Sequence, residues 1–170
     1  MKNTTRFLTY AASIAALYVI LTLLSASLGL ASGVIQLRLS EALTILPAFT
    51  PAAIPGLFVG CLLANALSGA LPWDIVFGSL ATLLGAFGTY LLRRHKWFAA
   101  LPPIAANVLI VPLVLRYVYG VPDAYWFLLL TVGAGEFLSA GVLGTWLARA
   151  LETRNVFGRS AVKRGKGERS

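Results

Sequence analysis

The chain has a single cysteine and a single histidine among its 170 residues. Cys61 lies in an apolar run and has no partner for an intrachain disulfide, so it gives no information about the redox compartment. His95 stands in the basic connector "RRHK", where we expect a solvated side chain. The sequence also lacks a Gly-x-Ser-x-Gly motif, a His-Glu-x-x-His motif, a Walker loop and a cysteine cluster. These absences argue against an enzyme, and we expect no catalytic residue, no bound metal and no cofactor.

Charge is scarce as well. Charged residues make up 12% of the chain and hydrophobic residues 58%, and the mean hydropathy is +0.81. The length accommodates five or six spans of about 20 residues with short connections. The apolar stretch from Phe7 to about Leu30 is longer than the core of a signal peptide, so we expect it to remain as a first helix. The composition therefore predicts an all-α, multi-pass integral membrane protein in a lipid bilayer, and we expect that bilayer to be a bacterial-type plasma membrane.

Apolar runs and turn residues divide the sequence into about six predicted transmembrane helices. The second is the weakest, because it is interrupted by Pro47, Pro51 and Pro55. The twelve residues from Leu39 to Thr50 make about 18 Å of helix, which is too short for the hydrocarbon core. We predict one membrane domain over residues 1–151 and a basic, disordered tail over 152–170. The predicted spans cover residues 7–29, 39–50, 53–70, 75–92, 99–118 and 124–150.

The basic residues predict the orientation. With both termini in the cytoplasm, 12 of the 14 lysines and arginines lie on the inner side, and only Arg38 and Arg116 lie outside. The net charge of +8 then reflects membrane topology. No aromatic residues interleave with the basic stretch "VKRGKGER" of the tail, so we expect no nucleic-acid partner.

Polar residues stand out in such an apolar chain, and most of them fall in the predicted outer half. The segment "IQLRLSEALTILP" carries Arg38 and Glu41, which are three residues apart and could simply pair on a helix. The asparagines could serve only as hydrogen-bonding groups between helices, and the tryptophans as interfacial anchors. A carboxylate in mid-span, such as Glu136, is costly and indicates a functional site. We favour convergence on one outward cavity, with the candidate substrate-binding residues Gln36, Arg38, Glu41, Asn65, Trp73, Asn107, Trp126 and Glu136.

The first helix carries a second pattern. Ala11 and Ala15, and likewise Ala12 and Ala16, are four residues apart in "YAASIAALY". Small residues at this spacing let another helix approach closely. The same spacing in "PGLFVGCLLA" and "AGVLGTWLA" could serve internal packing only.

The blocks "IQLRLSEALTILPAFTPAAIPGLFVGCLLAN" and "DIVFGSLATLLGA" resemble the queuosine-precursor transporter (QueT) family, and the resemblance covers residues 6–150. Members of that family are substrate-binding S components of energy-coupling factor (ECF) vitamin transporters. The resemblance implies an S-component-like bundle whose alanine-rich first helix, with Ala11, Ala12, Ala15 and Ala16, docks on a transmembrane coupling (T) component. It also implies two partner ATPase subunits, which would supply the Walker loops that this chain lacks.

The implied substrate is a 7-deazaguanine, such as the aminomethyl or cyano precursor of queuosine, or queuine. A guanine edge presents two adjacent donors that a carboxylate can accept, a carbonyl that needs a donor, and a flat face that suits an aromatic ring. Glu41 and Glu136 would divide the acceptor tasks, and Trp73 or Trp126 would provide the stacking plane. Two alternatives stay open. One is an S component for another vitamin or purine-like ligand. The other is a small membrane scaffold whose polar residues only hold helices together.

Overall fold

The structure, a computed structural model, describes residues 2–30, 35–95 and 98–154. Within these ranges the regular elements are all helical, which confirms the predicted all-α membrane fold. Most of the predicted tail, residues 155–170, lies outside the described residues. The elements are α1 (Lys2–Ser27), a 3-10 helix (Leu39–Ala48), α2 (Ala53–Leu67), α3 (Pro72–Leu91), α4 (Leu101–Tyr117), α5 (Tyr125–Glu136), a π-helical segment (Phe137–Leu143) and α6 (Gly144–Thr153).

Three of the six predicted spans are long and apolar enough to cross a bilayer among the described residues. They are Thr4–Ser27, Pro72–Leu91 and the continuous helix Tyr125–Thr153. The 15 residues of α2 and the 17 of α4 are also apolar but shorter, about 22 and 25 Å at the usual helical rise. The bundle therefore combines three long helices with three short ones.

The second predicted span is a 3-10 helix of ten residues in the interior of the bundle. It packs against α1, α3, the π-helical segment and α6. Most of its residues are buried, including the run Leu43–Pro47. Non-α backbone at membrane depth is tolerated where protein covers it. This element carries Glu41 in its first turn and so places a carboxylate at the centre of the protein.

Close contact between α1 and α2 depends on two glycines. A Cβ atom at Gly56 would lie 2.7 Å from the carbonyl oxygen of Ala11, and one at Gly60 would lie 2.8 Å from the Cβ of Tyr18. Both separations are too short for a side chain. The small-residue pattern in α2 thus serves internal packing, as its spacing allowed, and it fixes the position of Tyr18.

The last long helix changes from α to π geometry directly after Glu136. Single π turns in α-helices are frequent at functional sites. At the same place, a Cβ at Gly135 would lie 2.2 Å from the carbonyl oxygen of Gln36. Only glycine lets the chain before the 3-10 helix pass this close to α5. Arg38 and Glu41 are thereby brought near Glu136.

Candidate functional site

A cavity of about 340 Å³ opens among α1, the start of the 3-10 helix, α2, α3 and α4. This volume lies within the range of small-molecule sites, about 300–1,000 Å³. Its lining includes five of the eight predicted binding residues: Gln36, Arg38, Glu41, Asn65 and Asn107. Within the described ranges no group of three or more His, Cys, Asp or Glu side chains could hold a metal ion. The volume and the polar lining make the cavity a candidate site for a small organic ligand.

Glu41 is the most deeply placed charged group of the cavity. It is 1% exposed, and its Oε1 accepts a hydrogen bond of 2.5 Å from the hydroxyl of the fully buried Tyr18. Its Oε2 accepts a second bond of 3.3 Å from Nδ2 of Asn107. A carboxylate offers about four lone-pair positions, so Glu41 keeps acceptor capacity for a ligand.

Arg38 contacts Asn65 rather than Glu41. Its Nη2 donates a hydrogen bond of 2.6 Å to Oδ1 of Asn65, whose Nδ2 lies 3.6 Å from Sγ of Cys61. Asn65 is 2% exposed, so this contact holds the guanidinium at the cavity wall. The structure thus does not contain the local Arg38–Glu41 pair that the spacing allowed, and both groups face the cavity.

Glu136 lies behind the cavity wall and not in it. It is 7% exposed and lies within interaction reach of Asn107, Glu41 and Arg38. Its Oε2 is buried without a hydrogen-bond partner. Glu136 does not line the cavity, so it is connected to the other predicted site residues only through Asn107. Its part in the binding site stays a prediction.

The two predicted tryptophans lie outside the cavity. Trp73 is 63% exposed and stacks on Phe77 with 6.1 Å between ring centroids, and Trp126 is 76% exposed. Their exposure fits the alternative role as interfacial anchors. The expectation that one of them forms the stacking plane is corrected here, because neither ring reaches the cavity.

The aromatic residue of the cavity is Tyr119, in the connection after α4. Its hydroxyl donates a hydrogen bond of 2.7 Å to Oδ2 of Asp74 and accepts one of 3.2 Å from the backbone N–H of Leu71. Burial, together with the bond to Asp74, raises the pKa of Tyr119 above its ordinary value. Tyr119 and Asp74 thus join the α4–α5 connection to the beginning of α3 at the edge of the cavity.

The QueT transporter family matches residues 8–153. The chain belongs to this family. A relative from Lactococcus lactis subsp. cremoris (strain MG1363), named Queuosine precursor transporter QueT, is 36% identical over 97 residues. The match covers 56% of this chain and 56% of the relative, so the chain matches only about half of the relative's length. No solved structure matches the chain. The family and the three long apolar helices agree on a membrane protein.

Sequence reasoning missed the part of this QueT-family site that α1 contributes. Tyr18, Thr22 and Ser25 are all buried and follow the spacing of one helical face. Thr22 donates a hydrogen bond of 2.8 Å to Ser40, and Ser25 accepts one of 2.9 Å from the N–H of Leu39. A polar stripe with this period on an otherwise apolar helix was the available indication. Asp74 and Tyr119 also line the cavity and are not among the predicted binding residues.

The predicted docking alanines of this family member divide between two faces of α1. Ala12 and Ala16 are exposed. Ala15 is 8% exposed and, like Ala11, packs against α2 opposite Gly60 and Gly56. Including Ala11 and Ala15 in an external docking surface is therefore corrected. Ala12 and Ala16 stay as a prediction.

Proposed function

We propose that this chain is the substrate-binding S component of an ECF-type importer and that it binds a 7-deazaguanine precursor of queuosine in the 340 Å³ cavity. The observation that carries the proposal is the buried Tyr18–Glu41–Asn107 network at the wall of that cavity. Charged groups inside membrane proteins are costly and mark substrate pathways. Membership of the QueT transporter family and the name of the Lactococcus relative support the class of substrate.

The hydrogen-bonding groups of the cavity complement a guanine edge. The free acceptor positions of Glu41 suit the ring N1–H and the exocyclic amine, which lie side by side and can bind one carboxylate. The guanidinium of Arg38 still has N–H donors beyond the one that Asn65 accepts, and these suit the ring carbonyl. Tyr119 would then stack on the flat face of the base, in place of Trp73 or Trp126.

A second carboxylate favours a substrate with a cationic substituent. Asp74 lines the same cavity and accepts a hydrogen bond from Tyr119 through Oδ2. The aminomethyl precursor carries an ammonium group, for which Asp74 is the suitable partner within the cavity. We therefore propose the aminomethyl form as the preferred ligand over the cyano form, which carries no ammonium group.

Transport would draw its energy from partner proteins. The sequence contains no Walker loop, so ATP hydrolysis would fall to two ATPase subunits joined through a T component. We propose the exposed Ala12 and Ala16 on α1 as the contact with the T component. On this proposal the chain itself is a binding and transport subunit and carries no catalytic residue.

Calorimetry on the detergent-solubilised protein tests the ligand assignment. We expect the aminomethyl 7-deazaguanine to bind at least about tenfold more tightly than the cyano form, because one charge-assisted hydrogen bond contributes about 1.5–3 kcal/mol. Adenine serves as the control, since its edge presents an acceptor where guanine presents a donor. Equal binding of adenine would indicate another purine-like ligand. If none of the bases binds, the proposal is wrong, and another vitamin or a scaffold function takes its place.

A further inference from the structure

The side-chain amide of Asn107 lies between two carboxyl groups from different parts of the fold. Its Nδ2 donates to Oε2 of Glu41 on the 3-10 helix, at 3.3 Å, and the carboxyl group of Glu136 at the end of α5 lies within interaction reach of the same amide. Asn107 and Glu41 line the cavity, whereas Glu136 does not. Glu136 thus stands one layer behind the residues that a ligand can touch.

This arrangement orients the amide. A carboxamide nitrogen carries two N–H groups, and here carboxyl groups are available to both of them. The carbonyl oxygen, Oδ1, is then the group left for a ligand. Rotating the amide by half a turn would set Oδ1 against the acceptor oxygens of Glu41 and Glu136, which is unfavourable in a buried site.

Helix packing alone does not account for Glu136. Its Oε2 is buried without a hydrogen-bond partner, whereas the great majority of buried polar groups are paired. The chain also departs from α geometry in the next residues, Phe137–Leu143. Both features are typical of a position kept for function and not for stability.

Building on the proposed function, we propose that Glu136 is a positioning residue that holds Oδ1 of Asn107 toward the ligand as an acceptor for the exocyclic amine of the base. Glu41 and Asn107 together then accept from both N–H groups of that amine. The pair Glu136–Asn107 selects a 2-amino-4-oxo base, such as a 7-deazaguanine, over the same base without the amine.

Two substitutions of Glu136 separate the effect of its acceptor oxygen from the effect of its charge. A carboxylate, a carboxylic acid and a carboxamide each keep an oxygen that can accept from Asn107. Glu136→Gln therefore preserves the orientation of the amide. Glu136→Met has similar length and no strong acceptor, so it allows the amide to turn. A residue that contacts the ligand through its charge would respond to both substitutions.

The experiment compares two ligands that differ only in the amine, 7-deazaguanine and 7-deazahypoxanthine, by calorimetry on the purified full-length chain. In the parent we expect 7-deazaguanine to bind at least about tenfold more tightly, since deleting the amine leaves buried acceptors without a donor. Glu136→Gln should keep this ratio within about threefold, and Glu136→Met should reduce it to about threefold or less. Ser139→Ala is the matched control, because Ser139 is a buried polar residue one turn further along the same helix.

An unchanged ratio in Glu136→Met would overturn the inference, and so would an equal loss in Glu136→Gln or in Ser139→Ala. If Glu136→Met does not fold, Asn107→Ala removes the acceptor directly and must also lose the ratio. A retained ratio in Asn107→Ala would equally contradict the inference. Failure of the parent to bind 7-deazaguanine at all would instead contradict the proposed function, so the two failures are distinguishable.

Discussion

The two faces of α1 differ sharply although they share one apolar helix. One face carries Tyr18, Thr22 and Ser25, all of them buried and hydrogen-bonded, and Tyr18 and Thr22 bond to the side chains of the 3-10 helix. The opposite face presents Ala12 and Ala16 to the outside of the chain. Hydropathy does not separate the faces, because both lie in one span of mean hydropathy 2.1.

What separates the two faces is the kind of contact each can make. The inner face offers hydroxyl groups, of which that of Tyr18 donates to the carboxylate of Glu41 and that of Thr22 donates to Ser40, so buried polar groups are paired in an apolar interior. The outer face is smooth, and such a surface suits a close helix partner. Substitutions on the inner side should therefore change ligand binding or stability, and those on the outer side should change assembly.

Glu41→Gln should give the largest effect on binding. The substitution keeps the shape but replaces one acceptor by a donor that faces the donors of the ligand and of Asn107. The loss of a charged hydrogen bond and a stranded partner corresponds to roughly 2–4 kcal/mol, or about 30- to 1000-fold in affinity for a 7-deazaguanine.

Calorimetry measures this effect, with Glu152→Gln as the control. Glu152 is exposed in the last turn of α6, outside the cavity lining. We expect the control to bind like the parent. Binding by Glu41→Gln within threefold of the parent would mean that the carboxylate only joins helices.

Ala12→Trp and Ala16→Trp test the outer face. A bulky side chain on a close helix contact costs about 1–3 kcal/mol, so recovery of the complex with the T component should fall by about 5- to 150-fold. Ligand binding by the isolated chain should stay unchanged. Pull-down with the T component measures the first effect and calorimetry the second.

Ala105→Trp is the matched control for that experiment, because Ala105 is an exposed alanine on α4. Equal loss of the complex in Ala105→Trp would show that any bulky surface residue disturbs assembly. Loss of ligand binding with the complex preserved would contradict the division of α1 into two faces.

Gly60→Ala disturbs the inner face without replacing a polar side chain. A Cβ at this position would lie 2.8 Å from the Cβ of Tyr18 and 3.0 Å from the backbone of Ala15, so α1 and α2 must move apart. We expect a loss of about 1–3 kcal/mol in the free energy of unfolding and a fall in Tm of roughly 2–12 °C.

Thermal denaturation in detergent compares this variant with Gly133→Ala. Gly133 lies in α5, where the nearest contact of a Cβ would be an ordinary 3.6 Å to Val108. Alanine is a better helix former than glycine, so the control should keep or raise the Tm. A lower Tm in both variants would indicate a general intolerance of added side chains.

The helices could be predicted from the sequence because, in a membrane protein, long apolar runs mark the helices and turn residues mark their ends. The apolar runs predicted every helix to within a few residues, and the prolines after Leu39 indicated that the second helix would be irregular. The sequence could not show which of the six predicted spans form helices long enough to cross the bilayer. Whether a short apolar helix crosses the bilayer depends on its neighbours, which periodicity does not contain.

The site was predictable where a polar residue is rare and much less so where the surroundings decide its role. The cavity residues Arg38, Glu41 and Asn107 could be predicted because polar side chains are rare and costly inside an apolar membrane protein. Trp73 and Trp126 were wrongly placed in the cavity because a tryptophan suits an interface as well as a ligand. Which way each ring points follows from helix rotation, and a single sequence leaves that rotation open.

Tyr119→Phe should give the smallest effect, because Tyr119 is 42% exposed and water can replace its bond to Asp74. We expect about a two- to threefold change in affinity for the aminomethyl ligand at neutral pH.

The protonated phenol donates this bond, and burial together with Asp74 raises the pKa of Tyr119. The contact should therefore persist from neutral pH to the ordinary tyrosine pKa of about 10, and be lost as the pH rises through the raised value. Calorimetry across this range should show a steeper decline in the parent than in Tyr119→Phe, because the ammonium group of the ligand loses its proton in the same range with both proteins. Tyr117→Phe, exposed on the surface, should behave like the parent. The same decline in Tyr119→Phe would show that the titrating group is not Tyr119. The hydrogen bond from Tyr119 to Asp74 would then not contribute to ligand binding.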